Sequence, residues 1–316
     1  MDVALAEYAG RAKNRTISIF RALHKLGPID LNLFFKIFDA QVKPILLYAA
    51  EVWGSRQTER KDKLHMIERI HMYACKRLLG VSMKTPNSLV YAELNRFPLT
   101  IDSTMRCIKY WGKILLLPQE RIPRQAYERE KNELNKINGW GNTLKSIIER
   151  NGYGNIWLNE EIQNFNGFCK AFRQRLIDQF WQNQHAKVSS KARFAMYNSF
   201  KEDHSREIYL ENITITKFRR IYTRARFGII DIKQNATYNN PDTNLECPFC
   251  REEETVDHLL LKCPSYKTLR SKYIEKHWIT LNSTSVKDLL GSPYQEIQKS
   301  VAFFIYYALR MRERLI

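Results

Sequence analysis

The sequence predicts a mostly α-helical, multi-module chain. Three observations carry this expectation. Apolar residues recur at intervals of three and four along most of the chain, the spacing of one face of a helix. The length of 316 residues exceeds one core of ordinary size and gives about two domains at roughly 150 residues each. Three of the six cysteines crowd with a histidine into one short segment near the C-terminus, a pattern of metal ligation rather than of a disulfide scaffold.

Composition narrows the function classes. Hydrophobic residues are 44% and charged residues 27%, as in folded proteins, and 12 Gly with 10 Pro exclude a collagen-like or Gly/Pro-rich disordered chain. Lys plus Arg is 51 against 33 Asp plus Glu, a formal net charge of +18. Such an excess favours a polyanionic partner, either nucleic acid or an acidic membrane surface. The opening residues MDVALAEYAGRAKNR lack the apolar core of a secretory signal. The longest apolar run near the end, VAFFIYYAL from Val301 to Leu309, is far short of the roughly 20 residues that span a bilayer. The expectation is a reducing compartment, nucleus or cytoplasm, with no membrane and no small-molecule substrate.

The elements follow in order. From Arg11 to Leu26 there are five basic residues and no acid, with Ile17, Phe20, Leu23 and Leu26 as an apolar stripe. Gly27-Pro28 stops this helix and Asp30 caps the next, which is apolar on most of its circumference and kinked at Pro44. Leu64, Ile67, Ile70, Ala74 and Leu78 mark a helix over 62–79, ended by Gly80. A turn at Thr85-Pro86-Asn87 precedes helices over 88–94 and 101–117. Pro118 and Pro123 set a soft boundary. Residues 125–230 read as helices joined by loops at Asn138-Gly139, Asn151-Gly152 and Asn166-Gly167, with Trp140, Trp157 and Trp181 as core anchors. Residues 231–246 read as loop, and 265–278 and 286–316 as short closing helices. The domain division predicted is 1–118, 119–232 and 233–316.

Residues 187–226 carry a net charge of +6, densest in KFRRIYTRAR (217–226). On a helix Arg220 and Arg224 share one face, with Phe218, Ile221 and Tyr222 turned inward. The residues expected to contact a polyanion are Arg11, Lys13 and Arg15 near the start, and Lys217, Arg219, Arg220, Arg224 and Arg226 here.

The segment LECPFCREEETVDHLLLKCPSY holds Cys247, Cys250, His258 and Cys263, spaced Cys-x2-Cys-x7-His-x4-Cys. Three thiolates and an imidazole form a common tetrahedral set for structural zinc (Zn2+). The close cysteine pair suits a tight knuckle, and DHLLLKC suits a short helix presenting His258 and Cys263 to one ion. Four protein ligands leave no open position, so the expected role is structural. The acidic REEETVD stretch argues against this knuckle gripping phosphate directly. The remaining histidines read as core or surface residues, and Cys75, Cys107 and Cys169 as buried free thiols. Polymerase or nuclease chemistry needs close carboxylates that hold two metal ions. The adjacent acids, Glu160-Glu161, Glu202-Asp203 and Glu252–Glu254, all lie in exposed-looking stretches. There is no Gly-rich phosphate loop and no nucleophile elbow. The expectation is a chain with no active site of its own.

VKPILLYAAEVWG (42–54), IERIHMYACKRLLGVSMKTPNSLVYAELNRFPL (67–99) and RCIKYWGKIL (106–115) resemble the segment that follows the palm in LINE-type (non-LTR) retrotransposon reverse transcriptases. CPFCREEETVDHLLLKCPSYKTLR (247–270), preceded by a basic segment, resembles the Cys-Cys-His-Cys end of the same proteins. The resemblance implies a helical thumb over 1–118, which grips a primer–template duplex, and a zinc-containing nucleic-acid-binding end. It matches Cys247, Cys250, His258 and Cys263 to the family's ligands. It also implies that the endonuclease and the palm, with its catalytic aspartates, lie before residue 1. The expected partners are RNA, DNA or their hybrid. The alternative is an interaction remnant: without a palm, apolar faces around Phe34, Phe35, Phe38 and Leu47 would be exposed and would bind another copy or an intact polymerase.

Overall fold

The computed structural model describes residues 2–57, 66–132, 139–201, 203–236, 244–282 and 284–314. The described residues are helical and contain no strand, only one isolated antiparallel bridge between Glu246 and Glu253. Among them no helix is long and apolar enough to cross a membrane.

The chain forms two compact units, each from non-consecutive segments. The first comprises Met1–Ile19, Ile37–Met72 and Arg96–Asn183, the second Phe20–Lys36, Tyr73–Asn95 and Gln184–Ile316. This division differs from three consecutive segments cut at 118 and 232. Its boundaries fall inside helices, as between Ile19 and Phe20 of Asp2–Lys25.

Asp2–Lys25 ends before Gly27, which takes φ +118°. Its buried stripe runs through Leu5, Ala9, Ala12, Thr16, Ile19 and Leu23, while Leu26 is exposed. Of the expected stripe Phe20 and Leu23 are buried and Ile17 is half-buried, whereas Leu26 lies past the helix end, in the turn before Gly27. Asp30 Oδ1 accepts the Leu33 amide at 2.6 Å and caps Leu31–Gln41. That helix breaks before Lys43–Leu46, which carries Pro44 in its first turn. Phe34, Phe35, Phe38 and Leu47 are all buried, which corrects the expectation of an exposed apolar face. The rings of Phe20 and Phe34 lie 4.6 Å apart, and Phe38 stacks on His71 at 5.8 Å. Within Met66–Leu79 the expected Ile67, Ala74 and Leu78 are buried, whereas Leu64 and His65 lie outside the described residues.

The first unit's core is aromatic. Trp111 on Leu99–Leu115 stacks on Trp157 at 5.5 Å, and Tyr127 meets Trp157 edge-on at 6.0 Å. Leu144, Ile147 and Ile148 of Trp140–Arg150 close the cluster with Phe168 and Phe172. Gly112 admits the Phe165 ring: a Cβ there would stand 2.1 Å from Cζ. Trp157 and Trp181 are buried and Trp140 is partly so, as expected of anchors. Asn166-Gly167 is not a loop. It lies in the first turn of Phe165–Ser189, where Asn164 Oδ1 accepts the Gly167 amide at 2.8 Å.

In the second unit Thr216–Arg226 packs on Gln295–Glu313, with Phe218 against Phe303 at 4.5 Å. The apolar run from Val301 lies inside this 19-residue helix, longer than the short closing helices expected. Residues 233–236 form a helical turn in the segment expected to be loop, of which 237–243 lie outside the described residues.

Arg226 organises the interior of this unit. It is 2% exposed and pairs with Glu93, 0% exposed, and with Glu207, each at 2.7 Å. Tyr197 donates to Glu93 at 2.8 Å, Lys201 pairs with Glu207 at 2.7 Å, and Arg226 also donates to the Leu290 carbonyl. Burial disfavours the guanidinium charge, but Glu93 and Glu207 outweigh it and hold Arg226 above its ordinary value.

Candidate metal centre and basic surfaces

The Cys247–Glu254 segment folds as a knuckle. The Cys247 amide donates to the Glu252 carbonyl at 2.6 Å and the Arg251 amide to the Cys247 carbonyl at 2.9 Å. Arg251 takes φ +66°, which reverses the chain after Cys250. His258–Lys262 then forms a π-helical turn. The Cys263 amide donates to the His258 carbonyl, five residues back, at 2.8 Å. This answers the expectation of a short helix. An α-helix would turn positions five apart by 500° and separate them, whereas the wider π turn brings His-x4-Cys onto one side.

The four ligand atoms of Cys247, Cys250, His258 and Cys263 lie within 4.8 Å of one another and form a group that could hold a metal ion. The sulfur of Cys263 is 3.9 Å from that of Cys247 and 4.0 Å from that of Cys250, and Cys250 Sγ is 3.3 Å from His258 Nε2. Cys247, His258 and Cys263 are buried and Cys250 is half-buried. Burial pushes the Cys263 thiol up to about 12, with a smaller push from Cys247 and Cys250. Three sulfurs this close do not all ionise without a cation among them.

The surrounding residues hold the ligands in place. Glu252 Oε2 lies 3.3 Å from His258 Nδ1, so the ring presents Nε2 to the cluster. Thr255 Oγ1 accepts the His258 amide at 3.0 Å, and Arg270 donates to the Cys263 carbonyl at 3.0 Å. Tyr266 is buried against Phe249, their rings 5.2 Å apart. Glu254, expected to be exposed, is 1% exposed and takes two bonds from Arg312 at 2.8 and 3.2 Å. It also accepts the Lys233 amide at 2.7 Å. The acidic stretch thus divides by residue: Glu252 faces the histidine and Glu254 ties the knuckle to the Gln295–Glu313 helix.

The cationic residues divide too. Arg11, Lys13 and Arg15 are exposed on Asp2–Lys25. Lys217 is exposed, its ammonium 4.8 Å from the Tyr306 ring centre. Arg224 is exposed and Arg220 half-buried, on the shared face expected. Arg219 and Arg226 are corrections: both are buried, so neither reaches a phosphate. Arg219 donates to the Ile29 carbonyl at 2.9 Å and the Leu210 carbonyl at 3.3 Å, and Arg226 is held in its carboxylate network. Sequence spacing placed five cations on one helix but carried no signal of the acids and carbonyls that draw two of them inward.

Cys75, Cys107 and Cys169 are buried free thiols, and burial pushes Cys107 up to about 12. His71 and His277 are buried and hydrogen-bonded, to Glu68 at 2.7 Å and Ser300 at 2.9 Å. Among the described residues the Cys3His set is the only group of three or more potential metal ligands. Comparison of the chain with protein-family models, curated proteins and solved structures gave no match.

Proposed function

We propose that the chain is the nucleic-acid-binding C-terminal part of a non-LTR retrotransposon reverse transcriptase. In this reading it holds RNA or DNA through basic helices, and Cys247, Cys250, His258 and Cys263 bind one structural zinc ion. The observation that carries the reading is the convergence of those four side chains within 4.8 Å, in one of the two blocks that resemble that family. Zinc–thiolate bonds of about 2.3 Å place tetrahedral sulfurs about 3.8 Å apart. The separations of 3.9 and 4.0 Å agree with that geometry. A soft donor set of three sulfurs and one imidazole favours zinc over magnesium or calcium, which take oxygen. Four protein ligands complete the tetrahedron, so the ion stabilises the fold and activates no water.

The net charge of +18 and the exposed Arg11, Lys13, Arg15, Lys217 and Arg224 support a polyanionic partner. The role assigned is binding without catalysis. Fluorescence anisotropy with labelled RNA, DNA and hybrid oligonucleotides tests it. Affinity should fall steeply as salt rises from 50 to 200 mM, because phosphate contacts release counterions. No salt-dependent affinity for any of the three would overturn the reading. The alternative of a sticky remnant loses its motivating observation, since Phe34, Phe35, Phe38 and Leu47 are covered within the chain.

A further inference from the structure

The geometry points to one groove in the second unit as the seat of a single-stranded nucleic acid, gripped by its phosphodiester backbone between Arg77, Lys84, Arg193, Arg220 and Arg224. This inference rests on the nucleic-acid reading above and locates it. The groove is an open cleft of about 1180 Å³ walled by the end of Met66–Leu79, residues 80–86, the Ala192–Phe194 turn, the Thr216–Arg226 helix and residues 227–232. Pockets for small ligands hold about 300–1,000 Å³, so this one suits a longer polymer. Its lining carries five cations and one acid, Asp231.

Three guanidinium groups are fixed in place. Arg224 Nε donates to the Gly80 carbonyl at 2.8 Å. The stem of Arg220 crosses the same glycine, where a Cβ would stand 2.2 Å from Arg220 Cγ. Arg77 donates to the Tyr73 hydroxyl at 2.7 Å and lies 5.0 Å from the Phe20 ring centre. Among the described residues no carboxylate pairs with Arg77, Lys84, Arg220 or Arg224, and Arg220 Nε is buried without a partner. Burial, and then the charges of Arg224 and Arg77, hold Arg220 below its ordinary value. Like charges held together in this way are relieved by a bound polyanion, and the planar fork of arginine matches phosphate oxygens.

The smaller basic groove of the first unit, about 520 Å³, is partly neutralised. There Asp102 pairs with Lys43 at 2.6 Å and Arg173 at 3.7 Å, and Arg106 is taken by the Leu47 carbonyl at 2.8 Å. The preference for a single strand comes from the apolar lining. Met83 is 51% exposed, and Tyr73 and Ile229 are half-buried. Unstacked bases can cover that surface, whereas a duplex keeps its bases inside.

The test uses the full chain with fluorescein-labelled 20-mers of single-stranded RNA, single-stranded DNA and duplex DNA. The groove variant is Arg77→Ala with Arg224→Ala, two exposed residues. The control, Arg11→Ala with Arg15→Ala, removes the same charge elsewhere. The groove variant should weaken single-strand binding about tenfold or more and lower the salt slope by about 1.4, against a smaller loss in the control. A loss confined to RNA assigns the groove to RNA, one confined to DNA to DNA, and an equal loss to the shared phosphodiester; each supports the groove. Wild-type binding that the groove variant leaves unchanged overturns the groove and leaves the nucleic-acid reading standing. No binding by the wild type overturns that reading and the groove with it. Loss on duplex alone, or displacement of the strand by polyglutamate at equal charge concentration, also overturns the inference. Circular dichroism checks folding, and Lys84→Ala with Arg193→Ala provides a second variant in loop and turn positions with the same expected weakening.

Discussion

Replacing Arg226 with Met tests whether this residue belongs to the interior rather than to a nucleic-acid surface. The change removes the cation between Glu93 and Glu207 while keeping an apolar stem of similar length. Glu207 keeps Lys201 at 2.7 Å, so it is not stranded. Glu93, 0% exposed, loses its cation and keeps tyrosine hydroxyls, that of Tyr197 at 2.8 Å. Breaking a buried pair by deleting one partner costs about 3–5 kcal/mol, chiefly the stranded charge. The surviving Lys201 contact puts the expected loss near the lower end, about 3 kcal/mol. That is a large share of the ~5–15 kcal/mol typical of a folded domain. Urea unfolding at neutral pH measures the loss, and hydrogen exchange over 216–226 and 286–290 localises it. Adding Glu93→Gln should recover about half, since it neutralises the stranded carboxylate. Oligonucleotide affinity of the folded variant should stay at the wild-type level. A loss below about 1 kcal/mol with weakened nucleic-acid binding would show Arg226 to be a phosphate contact and refute the reasoning.

Burial, and next Glu93, raise Glu207 above its ordinary 4.5. The folded state therefore holds this proton more tightly, and the stability it contributes is present below 4.5 and lost as pH rises through the raised value. The stability of wild type relative to Glu207→Gln should then fall with rising pH from 4.5 upward; a difference that rises instead would contradict the raised value. Gly80→Ala should cost about 1–2 kcal/mol in urea unfolding, because φ is +70° and the new Cβ displaces Arg220, and it should also weaken oligonucleotide binding. Unchanged stability would show that the turn relaxes freely. Glu252→Gln should lower metal affinity about tenfold in chelator competition, since the carboxylate at 3.3 Å orients His258; equal affinity would remove Glu252 from that role.

What the sequence revealed follows from the distance over which each feature is built. The four residues of the Cys3His cluster fall within seventeen residues and are brought together by a knuckle and one π turn, so local pattern sufficed to group them. The Arg220 and Arg224 face was legible for the same reason, as helix periodicity fixes it. The inward turn of Arg226 was not, because Glu93 lies 133 positions away. Glu254 was hidden likewise, its partner Arg312 being 58 positions on. Arg77, Lys84 and Arg193 reach the groove from separate segments, and no local signal joins them to Arg220. Leu26 failed because the helix ends at Lys25, so helical spacing no longer places it, whereas the alternation of three and four through Leu5, Ala9, Ala12, Thr16, Ile19 and Leu23 holds within the helix.

The proposed function stands on one structural zinc ion held by Cys247, Cys250, His258 and Cys263. Metal content of the purified full chain after dialysis, wild type beside Cys263→Ser, tests it most directly. About one zinc per wild-type chain is expected, lost in the variant, with the element around 247–270 becoming protease-sensitive while the aromatic core of the first unit persists. A folded wild type without zinc, or a variant that retains it in full, would rule out a structural zinc site on these four residues.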